Sequence, residues 1–547
     1  MNLSNLTKAT SLSVLFSSLS VLSFAQGSGE ASSSANSLVI LLFTCVMVLV
    51  VFLAAIMGDK IIKLAAGKIR KDSDDKEFGL VPSLKELVFG TQNTGQSKKK
   101  ITKLSRGFDI KLKGKAKKSI AIYNSATYAI KPTDYKGLQP IPKMLLKEGA
   151  KVKAGEKIFY DKGFEGVFFT SPVSGELVEI RRAEKRAISE IVIQSDGKNS
   201  SVKFKAEAPK SLGESGVKSQ LLESGAWTAF VERPFGVIAN PTLRPNSIHI
   251  SCSDTAPLAV DYRYVLEQLN QKNIQTGIDA LNELSDKVYL NLDKQANKSN
   301  KVDQLKGVEI NAFLGEHPAG NVGIQIHHTD PIAKGDVVWT IKIEDVATIG
   351  RLFNEGVYAP EKIVALTGSI VKNPHYVKTI QGVNIAQLIE GQIEEDNSRV
   401  VSGNVLSGTQ ISKDGFLGAY DNLISVIEEG NQQEMFGWIL PQTARPSISP
   451  TFPWRMMELA RFDANTNMRG EQRAFVVSGQ YEEVLPMDVY PQHLMKAIIK
   501  NDFEEMEGLG IYELIEEDIA ICEFACTSKQ PLQGILREGL DYIRSQN

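Results

Sequence analysis

The spacing of apolar residues changes character along the chain, and each change predicts a different element. Leu38 to Met57 is a run of twenty residues without a charge. As a helix rising about 1.5 Å per residue it would cover about 30 Å, the hydrocarbon thickness of a bilayer, so a transmembrane helix is expected over 38–57. Between Pro140 and Ile193 the pattern is short and alternating, with Lys151 to Ile158 and Gly175 to Ile180 set beside glycine turns. A period of two broken by frequent turns predicts small antiparallel strands. Further on, a polar helical stretch over 203–223 and another from Ala256 to Asn270 alternate with strand-like runs at Ile248 to Ser251, Val288 to Leu290 and Gly307 to Ala312. That alternation predicts an open α/β layer, Rossmann-like in a loose sense. Val364 to Val371 and the run from Gly382 to Ile389 read as a β-hairpin followed by a short helix. Pro491 to Lys500 is expected as a helix with proline in its first turn. Leu532, Ile535, Leu536, Leu540 and Ile543 recur at helical spacing, which predicts an α-helical cap.

These readings divide the chain as an α/β multidomain protein. The expected parts are a signal peptide over 1–25, the transmembrane helix over 38–57 and a tether over 58–100. A β domain follows over 101–203, a Rossmann-like α/β domain over 204–358, a second β module over 359–450 and helices over 451–547. The pattern over 101–203 resembles the half-barrel of biotinyl and lipoyl carriers. A carrier needs a lysine at its hairpin tip, and Phe164 stands there, so the element reads as a carrier fold reused for docking. The stretch over 359–450 resembles a β-grasp module of the soluble-ligand-binding type.

Charge adds a direction. Lys60, Lys63, Lys68, Arg70 and Lys71 follow the uncharged run, while only Glu30 lies in the spacer before it. By the positive-inside rule the C-terminal side faces the cytoplasm, so the bulk of the chain is expected on the cytoplasmic side of the inner membrane. From Lys98 to Lys118 there are ten Lys/Arg and one acid. Beside an anionic leaflet each would contribute on the order of 1 kcal/mol; a solvated basic strand pair is the other reading. The net charge of −2 and the absence of interleaved aromatics argue against nucleic acid as a partner.

Candidate chemistry is sparse. Four cysteines argue against a disulfide framework and suit a reducing compartment. Cys522 and Cys526 are four apart, the spacing of one helical face, and no C-x2-C-x2-C run accompanies them, so an iron–sulfur cluster is not expected. No G-x-G-x-x-G follows a strand; the nearest cluster, Gly320-Asn321-Val322-Gly323, is too short for a dinucleotide fingerprint. His327 and His328 are expected in an extended run, pointing to opposite faces rather than sharing a metal. No nucleophile triad is defensible, so no catalytic or metal-binding residue is assigned. Trp227, Phe230, Arg233, Pro234 and Phe235 pack aromatics, an arginine and a proline into a short stretch. Such a stretch could flank an apolar ring or fill a core.

Read in order, a set of short motifs resembles the NqrA family, the A component of the sodium-translocating NADH:quinone oxidoreductases (Na+-NQR). It runs Arg106-Gly107-Phe108-Asp109-Ile110, Phe169-Thr170-Ser171-Pro172-Val173-Ser174-Gly175, Glu184-Lys185-Arg186, and Ser224 to Phe230 with Arg233-Pro234-Phe235. It continues through His317-Pro318-Ala319-Gly320, Val405-Leu406-Ser407-Gly408-Thr409, Phe436-Gly437-Trp438, and Glu516-Glu517-Asp518 with Cys522 and Cys526. The family's usual member begins near Ile101, so the first hundred residues depart from it. The resemblance implies one component of a six-subunit translocase of the inner membrane that oxidises NADH, reduces a quinone and exports Na+. FAD, FMN, riboflavin and iron–sulfur centres would sit on the other components and none on this chain, which would dock on the large membrane-embedded B component. It also implies that the segment holding Trp227, Phe230, Arg233, Pro234 and Phe235 lies near quinone. Two other readings are a relative of the C component of Rnf-type complexes, which needs two four-cysteine motifs, and a non-enzymatic membrane-tethered scaffold.

Overall fold

A computed structural model describes residues 99–546, except 139–140, 164–165, 394–396, 432–433, 438–444 and 449–460, together with Thr44, Val46 and Met47. The chain divides into two units, Met1–Gln96 and Ser97–Asn547. In the first, the three described residues are helical and exposed. The expected signal peptide, most of the expected membrane helix, the tether up to Lys98 and the hairpin-tip residue Phe164 lie outside the described residues. Among the described residues no helix is long and apolar enough to cross a membrane.

In the second unit the described strands form four sheets. The strands of the largest are β1 (Lys100–Lys103), β10 (Val231–Arg233), β11 (Val237–Ile238), β12 (Ser247–Cys252), β13 (Val288–Leu292), β14 (Glu309–Leu314) and β15 (Val338–Lys342). They lie in the order β1-β14-β13-β12-β15-β10-β11. Pairing is parallel from β1 through β15, and an antiparallel hairpin, β10–β11, closes one edge. Every residue of β13 is buried, as expected for a parallel strand covered on both faces. One cover is formed by α1 (Pro209–Ser224), α3 (Gln271–Leu284) and α5 (Ile343–Glu355). Helices α3 and α5 approach through Gly277 and Gly350: a Cβ at Gly350 would lie 1.7 Å from the Asn273 carbonyl. The helical stretch expected from Ala256 to Asn270 shrinks to α2 (Tyr262–Gln268). The Asp261 carboxylate accepts from the Arg263 and Tyr264 amides and starts α2 there, while Asn270 caps α3.

The glycine-turn region builds two small sheets. One comprises β3 (Thr127–Ile130), β5 (Lys151–Val152), β8 (Gly175–Arg182) and β9 (Ile188–Ser195), in the order β3-β9-β8-β5. The other comprises β4 (Lys143–Met144), β6 (Lys157–Tyr160) and β7 (Phe168–Thr170), in that order. Ile158, Phe159, Phe169, Leu177 and Ile193 share their core, and Phe159 stacks on Phe169 with centroids 4.4 Å apart. Gly175 is required because a Cβ there would meet the Gln194 carbonyl at 1.8 Å.

The strands of the fourth sheet are β2 (Lys117–Ile122), β16 (Glu361–Thr367), β17 (His375–Ile380), β18 (Ser398–Ser402), β19 (Thr409–Ile411) and β20 (Leu423–Glu428). Their order is β19-β18-β20-β16-β17-β2, and the short helix α6 (Ala386–Ile389) follows the β16–β17 hairpin. The first two strands of the unit thus leave their sequence neighbours: β1 completes the α/β sheet beside β14, and β2 completes this one beside β17.

A second core lies on the other face of the α/β sheet. It joins α4 (Val322–Thr329) to α7 (Gln480–Val484), α8 (Pro491–Lys500), α9 (Phe503–Gly508), α10 (Glu516–Ala525) and α11 (Leu532–Gln546). The apolar stripe Leu532, Leu536, Leu540 and Ile543 is buried in it, as are Cys522 and Cys526. The expectation of an extended His327-His328 pair is corrected here: both lie on α4. His327 Nδ1 meets Glu513 at 2.5 Å and its Nε2 accepts from the Asp488 amide at 3.1 Å, while His328 Nε2 meets the Pro486 carbonyl at 2.8 Å, so both imidazoles tie α4 to the segment 486–488 and His327 also ties it to Glu513.

Candidate functional site: a polar cavity where the sheets converge

A cavity of about 710 Å3 opens beyond the carboxyl ends of the parallel strands. It is lined by Ser251 near the end of β12 and by Ser253 and Asp254 just after it, by Gly320 to Val322 at the start of α4, and by Ile341 and Lys342 at the end of β15. The strand order reverses between β12 and β15, because β13 and β14 run off to one side and β15 lies on the other. Ligands of open α/β sheets bind at such switch points. The other walls come from residues 131–136 of the small-sheet region, residues 403–423 of the fourth sheet and Ile515 to Ala520 at the start of α10.

The charges on these walls are largely engaged. Lys131 is buried and bonds the Phe416 carbonyl at 3.2 Å and Asp134 at 3.3 Å. Asp134 also accepts from the Ala419 amide at 2.8 Å, yet burial pushes its carboxyl up to about 6. Lys342 bonds the Tyr420 carbonyl at 2.7 Å. Asp345 pairs with buried Lys362 at 2.9 Å. Burial raises the Asp254 carboxyl and lowers His317 to about 4, leaving that imidazole neutral at physiological pH. His317 Nδ1 faces the Thr255 hydroxyl at 3.3 Å, and its buried Nε2 has no hydrogen-bond partner among the described residues.

The floor is an ionic hub. Arg233, 1% exposed, donates to Asp518 at 2.8 Å and to Glu517 at 2.8 Å. Asp518 also accepts from the Ile515 amide at 3.1 Å, closing the first turn of α10. Its carboxylate rests against the first turn of α4, where a Cβ on Gly323 would come within 2.3 Å of it. Asn321 donates to the Glu517 carbonyl at 2.8 Å. Glu516 takes both Arg537 and Lys136; these partners outweigh burial and hold its carboxyl at about 2. The first turn of α4 thus faces a carboxylate supplied by the chain itself, the sign of charge a helix N-terminus favours.

The five residues singled out in the sequence separate here. Arg233 lines the cavity. Trp227 and Phe230 lie behind it, fully buried against Trp339, with centroids 5.2 and 5.7 Å away. Trp227 Nε1 donates to the Ala239 carbonyl at 2.8 Å. Pro234 follows a cis peptide, and the Phe235 carbonyl accepts from Arg537 at 3.0 Å. The sequence gives no site role to Asp518, Glu517, Asp134 or Lys342; Glu516-Glu517-Asp518 stands out there only as a motif, without an indication of its partner. Among the described residues no group of three or more His, Cys, Asp or Glu is placed to hold a metal ion.

Fold and site together describe a modular α/β protein that brackets an open switch-point crevice with two β modules and a helical cap. Three family models match consecutive stretches: the NqrA N-terminal barrel-sandwich hybrid domain over residues 102–196, the NqrA second alpha/beta domain over 212–358 and the NQRA C-terminal domain over 363–413. The A component of the Na(+)-translocating NADH-quinone reductase of Haemophilus influenzae (strain PittEE) is 37% identical over 448 residues, covering 81% of this chain and 99% of that protein. Its counterpart in Neisseria meningitidis serogroup B (strain MC58) is 36% identical over 453 residues, with the same coverage. The chain belongs to the NqrA family of the Na+-translocating NADH-quinone reductases. An NAD+-reducing [NiFe]-hydrogenase in the air-oxidized state aligns at a TM-score of 0.33 and 12% identity, over 60% of this chain and 66% of that one, too loosely to bear on the assignment.

Proposed function

We propose that this chain is the peripheral NqrA component of a Na+-translocating NADH:quinone reductase, docked on the membrane-embedded B component with its bulk on the cytoplasmic side of the inner membrane. The observation that carries this reading is a match spanning 99% of the length of an NqrA relative. On this reading the chain holds no redox centre of its own and serves by shape, joining its modules over the subunits that carry electrons. The segment from Trp227 to Phe235 stands near quinone as a wall of the central cavity. Arg233 meets the lumen, and Trp227 and Phe230 stiffen the wall from behind. The uncharged run over 38–57 is a membrane tether, preceded by a cleavable leader over 1–25.

The test is extraction of the tagged chain in mild detergent. It should bring down a flavoprotein partner with Na+-stimulated NADH:quinone activity, and the isolated chain should carry neither flavin absorbance nor stoichiometric iron. Recovery as a lone chain, or a flavin or iron centre bound to it, would overturn the reading.

A further inference from the structure

We infer that the basic edge between Ile101 and Ile122 is a docking surface for an anionic lipid bilayer; the inference does not depend on the assembly proposed above. The charge asymmetry is large. Seven basic residues and one acid lie between Ile101 and Ile122 in a chain of formal charge −2, so the remaining residues sum to −8.

The fold decides where that charge goes. Both β1 and β2 are edge strands, each paired on one side only. Every lysine from Lys111 to Lys118 is exposed. The backbone beneath them is pinned: Leu112 and Ala116 are buried, Lys113 donates to the Phe462 carbonyl at 2.9 Å, and Gly368 donates to the Gly114 carbonyl at 3.0 Å. Gly114 has φ +88°, and a Cβ there would fall 2.1 Å from the Gly368 carbonyl, so the segment lies flat on the protein. Lys113 and Lys118 reach Asp463 and Asp261 at 2.6 Å each. Among the described residues Lys115 and Lys117 have no ion-pair partner.

Lysines on edge strands also prevent sheets from pairing edge to edge. That role has no use for bare isoleucine, which works against it. Here Ile101 is 54% exposed and Ile122 is 80% exposed, one at each end of the basic segment. Cationic charge flanked by bare apolar side chains is the composition of surfaces that settle at the boundary of headgroups and acyl chains. An acidic protein segment would answer the lysines and leave the isoleucines in water.

The test uses the fragment Ser97–Asn547. It is one compact unit with its own cores, and relatives that align over 81% of this chain are covered over 99% of their own length, so it corresponds to a complete family member. The fragment is floated with vesicles of phosphatidylcholine, alone or with added phosphatidylglycerol, at low and high salt. Binding should appear only with phosphatidylglycerol and fall with salt. Replacing three lysines (K113Q/K115Q/K117Q) should weaken it about a hundredfold, at about fivefold per lysine. Ile122→Ser should weaken it about tenfold and leave the salt dependence unchanged. Circular dichroism establishes that each variant is folded. Equal binding to neutral vesicles, no binding, or binding indifferent to the lysine replacements would overturn the inference. So would capture by polyglutamate without capture by vesicles, which would assign the edge to an acidic protein segment. A fragment that ignores vesicles yet still assembles with its partners in the complex would sink this inference and leave the proposed function standing.

Discussion

Replacing Arg233 by methionine tests whether the hub beneath the cavity holds the α/β sheet to the C-terminal helices. The guanidinium is 1% exposed and its partner Asp518 is 0% exposed. Among the described residues, the Asp518 carboxylate without Arg233 keeps one bond, from the Ile515 amide at 3.1 Å, and its Oδ1 already lacks a partner. Stranding one member of a buried pair costs about 3–5 kcal/mol. Glu517, whose side chain is 42% exposed, adds on the order of 1 kcal/mol at most. Methionine retains the apolar stem, so the loss reports the charge rather than the packing. The second perturbation is Asp518→Asn, isosteric because the close approach of Gly323 leaves no room for a larger group. The two replacements together should cost little more than the worse one alone, an interaction energy of about 3 kcal/mol in a double-mutant cycle. The assay is native-state hydrogen exchange of the amides in α10, which reports local opening in a chain of several modules. A cost below about 1 kcal/mol or strict additivity would refute the reasoning.

Three further outcomes are expected. Gly350→Ala should cost about 1–3 kcal/mol, because its Cβ would fall 1.7 Å from the Asn273 carbonyl and α3 and α5 would have to part. Gly534→Ala, with nothing within 4 Å, should gain about 0.5–1 kcal/mol, and thermal unfolding of the two variants checks both signs. The Asp134 carboxyl is raised from 3.8 to about 6, so the folded state holds this proton more tightly than the unfolded chain. Its contribution is full below pH 4 and is lost as pH rises through 6, a change of about 3 kcal/mol. Asp134→Asn should flatten that part of the stability profile measured by urea unfolding.

Particular residues show how far the chain could be read in advance. The helix beginning at Pro491 and the stripe from Leu532 to Ile543 were legible because a helix is specified by neighbours three and four positions away. The paired small sheets were legible because glycine turns at Gly149 and Gly155, both with positive φ, punctuate the alternation. The His327-His328 pair was misread as extended: a short apolar run does not distinguish helix from strand, and α4 is only eight residues long. The cluster of Trp227, Phe230 and Arg233 was found but not resolved. Its aromatics turn toward Trp339, and Arg233 turns to acids 284 and 285 positions away.

Local order and membership of the family were therefore written in the sequence, through periodicity, turns and the succession of short motifs. Tertiary structure alone decided that β1 and β2 desert their neighbours for sheets built more than two hundred residues later, with Lys100 opposite Asn311 and Ile120 opposite Tyr376. It alone brought three sheets and a helix start around one cavity. Strand pairing and ion pairing depend on partners brought together in space, and a window of ten or twenty residues contains the donor but never the distant group that receives it.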